Sequence, residues 1–80
     1  MNNRAARQLL ARAREVRGAP ASPVPSPCNA VCRMDEASGE CEGCLRTLDE
    51  IAAWGSMPPA RRLEVWLRLE ARASELVADA

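Results

Sequence analysis

The sequence predicts a small, mostly α-helical protein in which a four-cysteine metal knuckle is followed by a helical hairpin and preceded by a flexible or weakly helical leader. All four cysteines lie within residues 28–44 of an 80-residue chain, and apolar residues recur at helical spacing on both sides of them. The chain has no Phe or Tyr. Because so short a chain with few large apolar side chains has a marginal core, we expect a bound metal to supply part of its stability.

An arginine-rich leader and a proline-rich linker occupy residues 1–25, ahead of the predicted metal-binding helical domain at residues 26–80. In the leader, Asn3 is the predicted helix cap and Gly18 the predicted end. Four prolines between residues 18 and 27 block helix and central strand, so an extended, semi-rigid connection should follow. The leader's apolar residues that share one helical face are Ala6, Leu9, Leu10, Ala13 and Val16.

Two close cysteine pairs carry the chemistry of the sequence, Cys28 with Cys32 at C-x3-C spacing and Cys41 with Cys44 at C-x2-C spacing. Each pair can bring two sulfurs to one centre without ordering a long loop, and a chain reversal over residues 35–39 would bring the pairs together. Tetrahedral zinc and iron–sulfur clusters are both commonly held by four thiolates. The four cysteines are therefore predicted to bind one metal centre, either zinc or an iron–sulfur cluster.

The expected cellular compartment also favours cysteines that bind a metal over cysteines that form disulfides. The first 20 residues never have more than three consecutive apolar residues, which excludes a secretory signal, and no stretch is long enough to cross a bilayer. We therefore expect a cytoplasmic protein, where disulfides are rarely maintained. A disulfide would contribute about 2–5 kcal/mol, whereas zinc-finger peptides gain about 10–16 kcal/mol from their metal. Without a metal, the cysteines would serve dithiol redox chemistry or be inert buried thiols.

Three residues near the cysteines are predicted to support the metal-bound thiolates, which carry net negative charge. Arg33 directly follows Cys32, and Arg46 lies two residues after Cys44. Gly43 allows the backbone to approach the sulfurs closely and to direct N–H groups at them. For Arg46 the alternative is a surface cation that covers carboxylates at the start of the next helix.

Two helices are predicted after the cysteines. Thr47 and Glu50 have the spacing of a capping box, so a short helix should begin there and end near Gly55. Ser56 is the predicted cap of a longer helix with prolines in its first turn. The short helix should bury Leu48, Ile51 and Ala52, and the long one Val65, Trp66, Leu69, Ala73 and Leu76, with Leu63 on the flank. The pairs Glu64–Arg68 and Arg72–Glu75 should form an exposed face of the long helix.

The remaining residue types favour a binding module over an enzyme. The chain has no His and no phosphate-cradling glycine loop, so we expect no catalytic site. Trp54 and Trp66 should pack in the core, with stacking on nucleic-acid bases as the alternative. Met34 and Met57 should fill gaps beside the site.

The leader carries five Arg against one Glu, a net charge of +4. We expect a protein partner and no membrane. The alternative partner is nucleic acid, since each phosphate contact releases counterions and gains free energy. The leader arginines that would make such contacts are Arg4, Arg7, Arg12, Arg14 and Arg17.

The stretch "SPCNAVCRMDEASGECEGCLRTLDEIAAWGSM", followed by Arg61, Arg62 and Val65, closely resembles the small bacterial four-cysteine family catalogued as domain of unknown function 1289. Members of that family are often labelled predicted iron–sulfur protein. The resemblance covers about residues 26–69 and combines both cysteine spacings with "CxGCxRTxxEIxxW". It implies metal binding at the four cysteines in a small cytoplasmic protein, with no reaction assigned, and it leaves zinc and iron–sulfur as open alternatives.

The sequence thus predicts a non-enzymatic, metal-binding accessory or interaction module. The alternative function is an iron–sulfur redox carrier or sensor.

Overall fold

The computed structural model describes residues 2–20, 22–29 and 33–78. No strand occurs within these ranges, although isolated bridges pair Met34 with Cys41 and Glu40 with Thr47. The predicted mostly helical architecture is confirmed. The helices are α1 (Asn3–Gly18), α2 (Leu48–Ala53) and α3 (Pro59–Ala78), and a 3-10 turn at Trp54–Ser56 extends α2.

Helices α1 and α3 pack against each other and supply most of the hydrophobic core. Burying each Leu or Val side chain stabilises the fold by about 1.5–3 kcal/mol. The five apolar residues predicted for one face of α1 are all buried, which confirms the helical period of the leader. Core residues are Leu9, Leu10, Ala13 and Val16 of α1, Val65, Trp66, Leu69 and Ala73 of α3, and Val24 and Leu45 between them.

The leader is more ordered than the sequence predicts. We expected a flexible or weakly helical segment, but Asn3–Gly18 form a 16-residue helix because α3 offers a surface for its apolar face. Its cap is Asn2, not Asn3: the Asn2 Oδ1 accepts a hydrogen bond from the Ala5 N–H at 2.7 Å. The core therefore draws residues from both sides of the boundary predicted before Ser26.

Helix α3 packs mainly along α1, whereas a few polar side chains connect it to the short α2, so its main partner is not the helix expected from the predicted hairpin. Helix α2 has only six residues, too few for a long apolar stripe. Leu48 is 63% exposed and Ala52 is also exposed, so the prediction that both are buried is wrong, while Ile51 is half-buried. The buried residue of α2 is the charged Glu50.

The start and end of α3 also differ from the prediction. Ser56 does not cap the helix, because its hydroxyl donates to the Ala53 carbonyl at 3.2 Å. The helix begins at Pro59, and the Pro58 carbonyl accepts its ordinary backbone bonds from the N–H groups of Arg61 and Arg62. Four residues of the predicted stripe are buried, but Leu76 is exposed, and Val77 packs against the core in its place.

The proline-rich linker lies against the helix pair. Val24 and Pro27 are buried, and the Trp66 indole N–H donates to the Pro25 carbonyl at 2.9 Å. This hydrogen bond ties the linker to α3 while the Trp66 ring fills the core, as predicted. None of the helices in the described ranges combines the length and the apolar character needed to cross a membrane.

Candidate metal centre

The chain reverses between the two cysteine pairs, as the sequence predicts. The Asp35 carboxylate accepts a hydrogen bond from the Ala37 N–H at 2.9 Å, which forms the predicted Asx turn. Gly39 has a φ of 72°, in the left-handed region that favours glycine. The Asp35 N–H then bonds to the Glu40 carbonyl at 2.9 Å and closes the reversal.

The second cysteine pair lies in a tight turn after this reversal. The Leu45 N–H donates to the Cys41 carbonyl and the Cys41 N–H donates to the Arg46 carbonyl, both at 2.7 Å. Leu45 has a φ of 64°, which costs a non-glycine residue about 1–2 kcal/mol. Cys41 and Cys44 are 3% and 1% exposed. The turn therefore holds both sulfur-bearing side chains inside the protein.

Hydrogen-bond donors surround the Cys41 sulfur. Burial raises the pKa of the Cys41 thiol, but hydrogen bonds from the backbone N–H groups of Gly43, Arg33 and Cys44, together with the Cys44 side chain, outweigh it and lower the pKa. Gly43 thus places an N–H where the sequence predicts one. Arg33 contributes its backbone only, because its exposed guanidinium pairs with Glu42 at 3.5 Å.

Arg46 is a buried cation beside the other sulfur of this pair. The residue is 5% exposed, its Nε donates to the Cys44 Sγ at 3.3 Å, and its guanidinium lies 5.3 Å from the centre of the Trp54 ring. Within the described part of the chain, Arg46 forms no ion pair with a carboxylate. The alternative that Arg46 is a surface cation is therefore wrong.

Trp54 is held in place by a second arginine. The Arg62 guanidinium lies 5.4 Å from the Trp54 ring centre, and its Nε donates to the Trp54 carbonyl at 3.0 Å. Trp54 and Met57 are partly buried and pack against the core, whereas Met34 is exposed. These contacts connect the end of α2 to α3 beside the cysteine turn.

A buried ion pair joins α3 to α2, and its arginine also bonds to the cysteine turn; sequence reasoning missed both contacts. Arg72 donates to both carboxylate oxygens of Glu50, at 2.7 and 3.2 Å, and to the Leu45 carbonyl at 2.9 Å. It also lies 3.3 Å from the Glu40 carboxylate, and Arg68 lies 3.4 Å from Glu50. The sequence offered one signal for this ion pair, the acidic Glu50 of the predicted capping box. A carboxylate that is buried there attracts a cation.

The ion pair replaces the surface pairs expected on α3. Arg68 and Arg72 bond to Glu50 rather than to Glu64 and Glu75, so the predicted pairs are wrong. Burial raises the pKa of Glu50, but hydrogen bonds from Arg72, the Thr47 N–H and Arg68 outweigh it and lower the pKa. The capping box itself is confirmed.

The first cysteine pair is only partly described. Cys28 is exposed, and the adjacent Asn29 side chain donates to the Gly43 carbonyl at 2.8 Å, which ties Asn29 to the turn between Cys41 and Cys44. Cys32 lies outside the described residues. Within those residues, no group of three or more His, Cys, Asp or Glu side chains could hold a metal ion. The convergence of all four cysteines therefore stays a prediction.

The five leader arginines do not form one continuous cationic surface. Arg14 and Arg17 lie 3.8 and 2.9 Å from the Glu70 carboxylate, so α3 offsets part of their charge. Arg12 donates to the Ser26 carbonyl at 3.1 Å. Three of the five thus contribute to the fold.

Comparisons with known proteins give a family but no activity. The family model described as "Protein of unknown function (DUF1289)" matches residues 26–73, which include the cysteine turn and most of α3. The chain is 47% identical over 47 residues to "Uncharacterized protein YdhL" of Escherichia coli (strain K12) and to the protein of the same name in Shigella flexneri. That match covers 59% of this chain and 57% of each relative's length. No solved structure matches the chain.

Proposed function

The chain belongs to the DUF1289 family, and on that premise we propose that it is a small, non-enzymatic metal-binding module. The ligands are Cys28, Cys32, Cys41 and Cys44, and they hold one centre, either zinc or an iron–sulfur cluster. The module acts in the cytoplasm by presenting its helical surface to a protein partner.

The observation that carries the proposal is the contact between the buried Arg46 guanidinium and the Cys44 Sγ at 3.3 Å. A buried cation is costly unless an anion offsets its charge, and a neutral thiol is only a weak acceptor. A thiolate supplies both the charge and the acceptor. Metal binding keeps cysteines in the thiolate form at neutral pH, so a metal ligand at Cys44 would account for the buried arginine.

The other residues of the site fit a thiolate centre as well. Backbone N–H groups, including that of Gly43, favour the charged form of Cys41, and Asn29, next to Cys28, bonds to the turn of the second pair. A bound metal would contribute folding free energy, about 10–16 kcal/mol in zinc-finger peptides. In a chain of this size that contribution rivals the total stability of an ordinary domain.

An iron–sulfur redox carrier or sensor is the second candidate function. The Arg46 donor to Cys44 and the N–H donors to Cys41 are compatible with it, because hydrogen bonds to the sulfurs are one of the means by which a protein sets the reduction potential of such a centre. The thiolates are the same for both metals.

Elemental analysis of the full chain, purified without oxygen, tests the proposal. Colourless protein with one zinc per chain supports the structural module. Brown protein with a visible charge-transfer band that dithionite bleaches supports the redox alternative. Protein that carries neither metal, and takes up neither on reconstitution, would refute the metal-binding function.

The substitution Arg46→Gln tests the contact with Cys44 directly. Loss of a hydrogen bond to a ligand typically lowers metal affinity by about 10–100-fold, and we expect an effect of that size in a competition assay with a chelator. Arg61→Gln is the matched control, because it removes the same charge from an exposed arginine that has no ion pair in the described part of the chain. Equal metal affinity in the two variants would show that Arg46 does not support the centre.

A further inference from the structure

A cleft of about 160 Å³ lies between α1 and the loop that carries the cysteines. Ligand pockets for drug-sized molecules are larger, roughly 300–1,000 Å³, so this cleft suits a small ion or a single chemical group. Its lining includes Gln8, Leu9 and Arg12 from α1, and Pro27, Asn29 and Gly43 from the loop.

The α1 side of the cleft is positively charged. Arg12 bonds to the Ser26 carbonyl, a neutral acceptor, so its full charge persists and further guanidinium N–H groups are available. Arg4 lies one helical turn before Gln8 and Arg12 one turn after it, which places the three on one face. Arg4 and Arg7 are exposed and form no ion pair in the described ranges.

This charge is not offset by nearby acids of the same helix. The first turn of α1 has no acidic residue, and Glu15 is the leader's only carboxylate. Arg12 is the leader arginine that lines the cleft, so an anion bound there would meet its charge.

We propose that the cleft between α1 and the cysteine loop binds a phosphate group. The Arg12 guanidinium provides the charge and the planar fork that matches phosphate oxygens, and the Gln8 amide provides a neutral donor. The opposite wall, Asn29 and Gly43, belongs to the cysteine loop. The proposal does not depend on the proposed metal centre, since none of the groups invoked to bind phosphate is a cysteine.

The phosphate has two chemical sources, the free ion and the backbone of a nucleic acid. NMR titration of the isotope-labelled full chain distinguishes them, with sodium phosphate in one arm and a short single-stranded oligonucleotide in the other. Ionic strength is held constant with sodium chloride. We expect saturable shifts of the Gln8 side-chain amide and the Gly43 backbone amide, while chloride alone produces none.

Arg12→Gln should weaken phosphate binding about tenfold, the loss expected for one charge-assisted hydrogen bond. Because Arg12 also contacts Ser26 and lies 5.4 Å from the Trp66 ring centre, Gln8→Leu serves as a second variant that spares those contacts and should also weaken binding. Arg61→Gln, outside the cleft, should leave affinity unchanged.

Tighter binding of the oligonucleotide, with the same amides shifted and the same two variants impaired, would assign the phosphate to a nucleic acid. Binding of inorganic phosphate at equal or greater affinity would assign it to a free ion. The proposal is overturned if neither probe shifts the cleft amides, or if Arg61→Gln weakens binding as much as Arg12→Gln. The first result would show that the cleft binds no phosphate, and the second that the arginines act only as general positive charge.

Discussion

Replacing Glu50 with glutamine tests whether a buried ion pair holds α3 against α2, beside the cysteine turn. The substitution keeps the side-chain volume and an oxygen that can accept the Thr47 N–H bond of the capping box, which spans 2.8 Å in the native chain. It removes the charge that Arg72 meets at 2.7 and 3.2 Å. The change therefore isolates the ion pair from the cap.

The structure sets the expected size of this effect. Breaking a buried ion pair by removing one partner typically costs about 3–5 kcal/mol. The Glu50 side chain is only 8% exposed, but Arg72 is 23% exposed and retains Glu40 at 3.3 Å and the Leu45 carbonyl at 2.9 Å. We therefore expect a loss of about 2 kcal/mol, below the range for a fully isolated charge.

This loss of stability is measured by thermal and urea unfolding of the native chain and the Glu50→Gln variant, prepared with equal metal content. For a domain of this size, about 2 kcal/mol corresponds to a decrease in Tm of about 8–16 °C. Glu75→Gln is the matched control, because sequence spacing pairs Glu75 with Arg72 whereas the structure pairs Arg72 with Glu50. If Glu75→Gln destabilises the protein as much as Glu50→Gln, the structural assignment of the ion pair is wrong.

The same pair predicts a pH dependence. The pKa of Glu50 in the folded protein lies below its usual value of 4.5, so its carboxylate contributes fully above that value and the contribution is lost as pH falls through the lowered pKa. The stability difference between the native chain and Glu50→Gln should therefore be constant near neutral pH and shrink in acid. A difference that grows as the pH falls below 4.5 would contradict the sign of the shift.

Three further substitutions test the core, the cysteine turn and the cap by chemical denaturation. Leu9→Ala should lower the free energy of unfolding by about 2–5 kcal/mol, because α1 belongs to the core. Gln8→Ala, at an exposed position of the same helix, should lower it by less than about 0.5 kcal/mol. Equal effects of the two substitutions would contradict this packing. Leu45→Gly should be more stable than Leu45→Ala by about 0.5–1 kcal/mol, since only glycine relieves the positive φ, and the opposite order would argue against that conformation. Thr47→Ala should cost about 1 kcal/mol through the lost cap, and no loss would contradict the capping box.

The sequence alone determined the features that depend on neighbouring residues. The buried face of α1 follows from the spacing of its apolar residues, and the chain reversal follows from Asp35 and Gly39. The cap at Thr47 follows from Glu50 three residues later. These features were predictable because each is a hydrogen bond or a periodicity within a few residues of the chain.

How these elements meet depends on contacts between segments that are far apart in the chain. Arg72 could reach Glu75 on its own helix, but its partner is Glu50, 22 residues away, and Arg17 finds Glu70 at a separation of 53. The pairing of α3 with α1 and the burial of Arg46 beside Cys44 likewise depend on distant segments. A long arginine side chain can reach several acids, and an apolar helix face can pack against several partners, so the local sequence pattern does not select among them. The partner is selected by tertiary packing, which determines which side chains are buried against each other.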